Sequence, residues 1–221
     1  MRLKIARTAG LAAAVAGITA AAAVAGITFF GAGGVGDPYY PKMGNTGYDV
    51  QSYDVNLRYQ SSGKVKSTTT IDAVADTDDG APPPGLPLAG FNLDFRGPEV
   101  TELTVNGVDA DFSRNGQELD IEAPSVIPDG TPFETVVRYK GKPKQVKNPD
   151  GSKDGWTKTG DGAVALGEPQ QTPSWIPVND HPTDKATWHF RFVTPRDLMS
   201  ISNGELVLSE VEGRRRTMEW D

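Results

Sequence analysis

The sequence predicts an all-β fold, an antiparallel β-sandwich preceded by one hydrophobic N-terminal signal or anchor helix. Three observations predict it. Apolar and polar residues alternate with a period of two from Gly36 onward, 25 Gly and 17 Pro supply turn residues, and no window beyond the N-terminal stretch shows amphipathic helical periodicity.

The N-terminal stretch differs from the rest. Arg2, Lys4 and Arg7 are followed by an uncharged run from Thr8 to Phe30, rich in Ala, Val, Ile and Gly. A basic n-region before an apolar h-region reads as an export signal, with small residues at Ala20–Ala23 and Gly31–Gly34 as candidate cleavage sites. The run is also long enough to cross a bilayer's hydrocarbon core of roughly 30 Å, so an uncleaved anchor is the other reading. Residues 1–35 are therefore assigned to a signal peptide or anchor and residues 36–221 to the β domain. In both cases the domain is expected outside the cytoplasmic membrane, secreted or in the cell envelope. A membrane partner is expected only if the segment stays attached.

The strands come next, in chain order. Tyr53, Val55, Leu57 and Tyr59 alternate with polar residues, and Ser61-Ser62-Gly63 turns the chain into Val65–Val74, a first hairpin. Phe91, Leu93 and Phe95 alternate next, then Leu103 with Val105, Val108 with Ala110 and Phe112, and Leu119 with Ile121. Asn106-Gly107 and Asn115-Gly116 separate these runs, because both central positions of a tight hairpin turn need positive φ. Phe133 to Tyr139 and Thr187 to Val193 are further strands, and Ser200 to Leu208 is expected to fold about Asn203-Gly204. Residues 76–88 and 142–162 break the pattern and read as long surface loops.

Composition narrows the function. The chain has 22 Lys and Arg against 29 Asp and Glu, no Cys, and only His181 and His189. Without the first 35 residues the balance is 19 basic against 29 acidic, a net charge of −10. An acidic chain argues against a nucleic-acid partner. A zinc hydrolase usually uses two or three histidine ligands with a carboxylate, and His181 and His189 are the only histidine candidates, so metal-dependent hydrolysis by this chain unaided is not expected. No G-x-S-x-G elbow raises a serine to nucleophile. Asp76, Asp78, Asp79 and Gly80 start like a calcium loop, but Pro87 stands where the bidentate Glu belongs. The acidic-loop reading is preferred there.

The segment from Leu166 to Thr187, LGEPQQTPSWIPVNDHPTDKAT, carries the most information. Glu168 is an exposed carboxylate at a strand end, and Pro169, Pro173, Pro177 and Pro182 stiffen the adjoining loop by fixing φ. Trp175 and Ile176 would anchor the loop. A carboxylate on a stiff loop suits an amine through a charge-assisted hydrogen bond, although an ordinary exposed Glu has the same spacing.

Trp175-Ile176-Pro177-Val178-Asn179-Asp180-His181-Pro182, followed by Lys185-Ala186-Thr187, resembles the aminopeptidase N-like (M1, gluzincin) zinc metallopeptidases. Trp175, Pro177, Asp180, Pro182 and Lys185 match that family's structural turn. The runs from Tyr48 to Leu57, Phe91 to Phe95 and Leu103 to Gly107 look like its early strands. The resemblance implies a saddle-like N-terminal β domain that supports a separate zinc-bearing catalytic domain. It also implies that Glu168 binds the free α-amine of a peptide substrate. No catalytic or metal-ligating residue is expected in this chain: the family's H-E-x-x-H, G-x-M-E-N and catalytic Tyr are all missing from the sequence. Zinc is then the cofactor of the full-length family, and the partners are a peptide with a free N-terminus and a missing C-terminal catalytic domain. The strand-like alternation of Arg215 to Asp221, running to the last residue, is read as a chain meant to continue. The alternative is a free-standing secreted β-sandwich that binds carbohydrate or protein through Tyr39, Tyr40, Trp156 and Trp175. A membrane-tethered inhibitor or scaffold is a third reading.

Overall fold

The computed structural model describes residues 26–78, 85–147, 151–168 and 170–221. The signal-like run up to residue 25, Asp79-Gly80 of the acidic loop and Pro169 lie outside the described residues, whereas Phe29 and Phe30, read from the sequence as the end of that run, pair with Leu88 and Gly90 as part of the β fold. In chain order the strands are β1 (Phe29–Phe30), β2 (Gly47–Tyr59), β3 (Val65–Asp76), β4 (Leu88–Asp94), β5 (Glu99–Val105), β6 (Val108–Asp109), β7 (Asp111–Asn115) and β8 (Glu118–Ile127). After them come β9 (Pro132–Gly141), β10 (Gln145–Lys147), β11 (Lys153–Lys158), β12 (Ala163–Leu166), β13 (Thr187–Pro195), β14 (Leu206–Glu212) and β15 (Arg215–Trp220).

They form three sheets. The largest runs β14-β15-β13-β2-β3-β9-β5-β6, the second β1-β4-β8-β7 and the third β10-β11-β12. The first two pack face to face. Tyr48, Phe91 and Phe133 meet at centroid distances of 5.2–6.3 Å, and Phe95 meets Tyr139 at 5.0 Å. The alternating residues read from the sequence fill this core, with Val55, Phe95, Leu119, Ile121 and Val137 fully buried. Inside the core the Tyr48 hydroxyl donates to the Asn92 carbonyl at 2.6 Å.

The all-β expectation holds and the first hairpin forms with Tyr59 opposite Val65, but four local readings change. The sheets are not purely antiparallel, because β13 runs parallel to β2 and β1 parallel to β4. Val108 to Phe112 is not one strand: the chain leaves the large sheet after β6 and enters the second sheet at β7. Residues 142–162 are not a structureless loop. They hold β10 and β11, whose backbone bonds are completed by β12 and whose Trp156 ring lies 6.1 Å from Tyr59 and 5.5 Å from Trp175. Ser200 to Leu208 is not a hairpin about Asn203-Gly204. The hairpin is β14–β15, turning at Gly213 and Arg214, while Glu205 exchanges backbone hydrogen bonds with Asp221.

The turn chemistry explains two connections. Asn106 (φ 50°) and Gly107 (φ 75°) are both left-handed, as the tight β5–β6 turn demands. At the second Asn-Gly pair, Asn115 instead ends β7 opposite Glu118, and only Gly116 (φ 68°) takes the left-handed position.

Candidate functional site

The proline-rich segment leaves β12 at Leu166 and crosses to β13. Gly167 approaches its neighbours closely: a Cβ there would lie 2.3 Å from the Gln171 Cβ. Glu168 is next, exposed to solvent. Thr172–Ser174 form one 3-10 turn whose Thr172 carbonyl accepts from the Trp175 and Ile176 amides. Ile176 is buried, and Val178 and Asp94 exchange backbone hydrogen bonds of 2.8 and 3.1 Å.

The turn beyond Val178 is held by residues other than those the sequence singled out. Asn179 accepts from the Asn45 amide at 2.6 Å, donates its backbone N–H to the Tyr53 hydroxyl at 2.9 Å, and donates its side-chain amide to Asp184 at 2.5 Å. One Asp94 oxygen accepts from the backbone amides of Asp180 and Gly44 and from the Asn45 side chain; the other accepts from Gln117. Asp180 thus joins through its backbone. Burial pushes its carboxyl up to about 7, with the neighbouring Asp94 charge adding to the effect. Glu118 is raised to about 7 by burial and then by Asp94, and burial raises Asp94 and Asp184 to about 6. Pro177 is buried, whereas Pro182 and Lys185 are exposed. Alternation correctly puts Asn92 and Asp94 opposite Phe91 and Phe95. That this second face is also covered, leaving Asp94 only 1% exposed, depends on the chain before β2 and on the turn at Asn179.

Beside this turn lies an aromatic cleft of about 870 Å³. Trp188, Phe190 and Phe192 project from one face of β13 and stack in a ladder with 5.4 Å steps. Tyr53 stacks on Trp188 at 4.1 Å and Trp175 lies over Phe190 at 6.3 Å. Trp156 and Trp175 line the cleft, while Tyr39 and Tyr40, paired with them in the sequence reading, do not. Four buried polar atoms on its lining residues lack a partner: Trp156 Nε1, Gln171 Oε1, Trp175 Nε1 and Ser200 Oγ. Such atoms are costly to bury unpaired, so the cleft offers hydrogen bonds to an occupant. Met199 and Ile201, at its rim, are 65% and 86% exposed.

The two histidines are engaged elsewhere. His181 lies 3.5 Å from an Asp37 oxygen and 2.7 Å from the Thr183 hydroxyl. His189 lies 2.5 Å from Asp221, which raises its pKa. Among the described residues no group of three or more His, Asp or Glu is placed to hold a metal ion.

An eight-stranded sheet backed by a smaller one, with a Pro-rich crossover and an aromatic cleft on its flank, defines an all-β domain. Its solved-structure neighbours are M1 zinc metallopeptidases, and the chain matches the N-terminal domain of that family. An M1 zinc metallopeptidase point mutant from Deinococcus radiodurans, bound to a Tyr-Ser-Ala substrate, is 26% identical with a TM-score of 0.72, covering 85% of this chain and 42% of that one. The M1 zinc metallopeptidase from the same organism gives 25% identity and the same coverage and TM-score. Legionella pneumophila aminopeptidase A in complex with aspartic acid shares the fold, at a TM-score of 0.63 and 18% identity over 79% of this chain and 19% of that one. The chain thus spans less than half the length of the structures it matches. No family profile and no curated protein matches the sequence.

Proposed function

We propose that this chain is the N-terminal, substrate-supporting domain of a secreted M1-type zinc aminopeptidase, the zinc site and the hydrolytic groups being supplied by a separate catalytic domain. The observation that carries the reading is the match of 85% of the chain to a metallopeptidase whose structure holds a peptide substrate. The aromatic cleft supports it: a stacked apolar surface with unpaired Trp N–H donors suits a second domain packed against it.

In this reading Glu168 binds the free α-amine of the peptide. Its carboxylate stands exposed just past β12, and it attracts a terminal ammonium while offering nothing to an acylated N-terminus. In an enzyme that joins this domain to its catalytic domain, Glu168→Ala should weaken use of free-amine substrates by about 10–100-fold, the worth of a hydrogen bond to a charged group. N-blocked substrates should be unaffected. Equal losses on both, measured as kcat/KM, would remove Glu168 from this role. Secretion is tested separately, by mass spectrometry of the mature N-terminus.

A second reading draws on the same cleft. Trp156 and Trp175 with the β13 ladder are also a platform for a carbohydrate or protein ligand of a free-standing module. Saturable glycan binding by the isolated chain, lost in Trp175→Ala, would favour it.

A further inference from the structure

On the second sheet, far from Glu168 in the sequence, the rows across β4, β8 and β7 place Gly90, Glu122 and Asp111 side by side, then Asn92, Asp120 and Ser113. These positions share one face, and all of them but Gly90 line, together with Phe30, a cleft of about 440 Å³. Gly90 leaves room for the Phe30 ring, which lies where a Cβ would be, 2.1 Å from Cε2. Glu122 and Asp111 stand directly opposite one another, an arrangement that repels across a sheet. Among the described residues no Lys or Arg forms an ion pair with Asp111, Asp120 or Glu122. Arg114 of β7, on the alternate face, donates to the Phe95 and Pro98 carbonyls instead.

A second observation is independent of the carboxylates. Asn92 is only 6% exposed and lines the cleft; its amide N–H donates to the Gly31 carbonyl at 3.2 Å, but its Oδ1 has no partner. The cleft therefore presents carboxylates and an orphaned carbonyl oxygen beside an aromatic ring. A ligand with several N–H donors, a positive charge and an apolar stem satisfies all three. A bare metal ion does not, since no three acidic groups converge on one point among the described residues.

We propose that this cleft is a binding site for an organic cation, a guanidinium or primary ammonium on an alkyl stem. The head lies between the opposed Glu122 and Asp111 carboxylates and donates to Asn92 Oδ1, while the stem rests on Phe30. The test is titration of the whole chain at low salt with agmatine, and in parallel with the blocked peptide acetyl-Gly-Arg-Gly-amide, monitored by calorimetry and amide chemical shifts. Saturable binding with shifts centred on Phe30, Asn92 and Ser113 is expected, and the tighter of the two probes assigns the source as a free amine or a protein side chain. The double variant Asp111→Asn, Glu122→Gln should bind at least about tenfold more weakly. It should unfold at the same or a higher temperature, because the opposed charges are removed. Phe30→Leu is a second variant that leaves the charges in place and should also weaken binding. Binding of neither probe, unchanged affinity in the double variant, or saturation of these same amides by calcium and not by agmatine would each overturn the proposal.

Discussion

Asp94 accepts four hydrogen bonds and offers no donor, so it is the member of the acidic junction suited to carry the charge. Asp180 and Glu118, raised to about 7 by burial and by that charge, are the members suited to hold protons. In the unfolded chain both release their protons near pH 4. Their contribution to stability is thus fully present below about pH 4 and is lost as pH rises through 7. Unfolding in urea should show greater stability at pH 5 than at pH 8, by about 1–3 kcal/mol. Asp180→Asn, neutral at every pH, should flatten the difference and raise stability at pH 8. A domain more stable at pH 8 than at pH 5 would contradict this assignment. At this scale the sequence showed Asp180 inside a Pro-bounded turn, but not the burial of its carboxyl. The turn itself is closed by Asn45 and Asn179, 134 residues apart, through a hydrogen bond that no local pattern shows.

At the scale of elements, period-two patterns identify strands whose one face is covered and pass over strands that are polar on both. β2, β3 and β9 alternate cleanly because each is buried on one side and wet on the other. β10 and β11, Gln-Val-Lys and Lys-Asp-Gly-Trp-Thr-Lys, carry almost no alternation, and their pairing is decided by Trp156 docking on Tyr59 and Trp175. Turn residues are read more securely when a backbone angle forces them. Gly107, at φ 75° with nothing within 4 Å of a Cβ, isolates that effect from packing. Gly107→Val should cost about 1–2 kcal/mol in urea unfolding with an unchanged denaturant slope. No loss at all would mean that the β5–β6 turn can adopt another form.

Across the whole molecule, β2 sits between β3, its neighbour in sequence, and β13, which arrives parallel after the Pro-rich crossover. That pairing brings the aromatic ladder of β13 to the flank of the large sheet and leaves it partly open. The two histidines are drawn to Asp37 and Asp221 in the same arrangement. Purified Met1–Asp221 is accordingly expected to hold no stoichiometric zinc by elemental analysis and to leave aminoacyl-anilides intact. Robust metal-dependent hydrolysis by this chain alone would refute the proposed division of labour between the two domains.

Residue types and their alternation by themselves determined that the chain is all-β, which residues of each clear strand face the core, and that a Pro-stiffened segment displays Glu168. They did so because side-chain direction along a strand is a local property of the backbone. Which strands become neighbours, which second faces are covered, and where unpaired donors and acceptors collect were decided only by the tertiary structure. Those depend on surfaces far apart in the chain: the parallel β2–β13 pairing, the junction at Asp94 and the acidic cleft around Asn92 each need partners that no local pattern names.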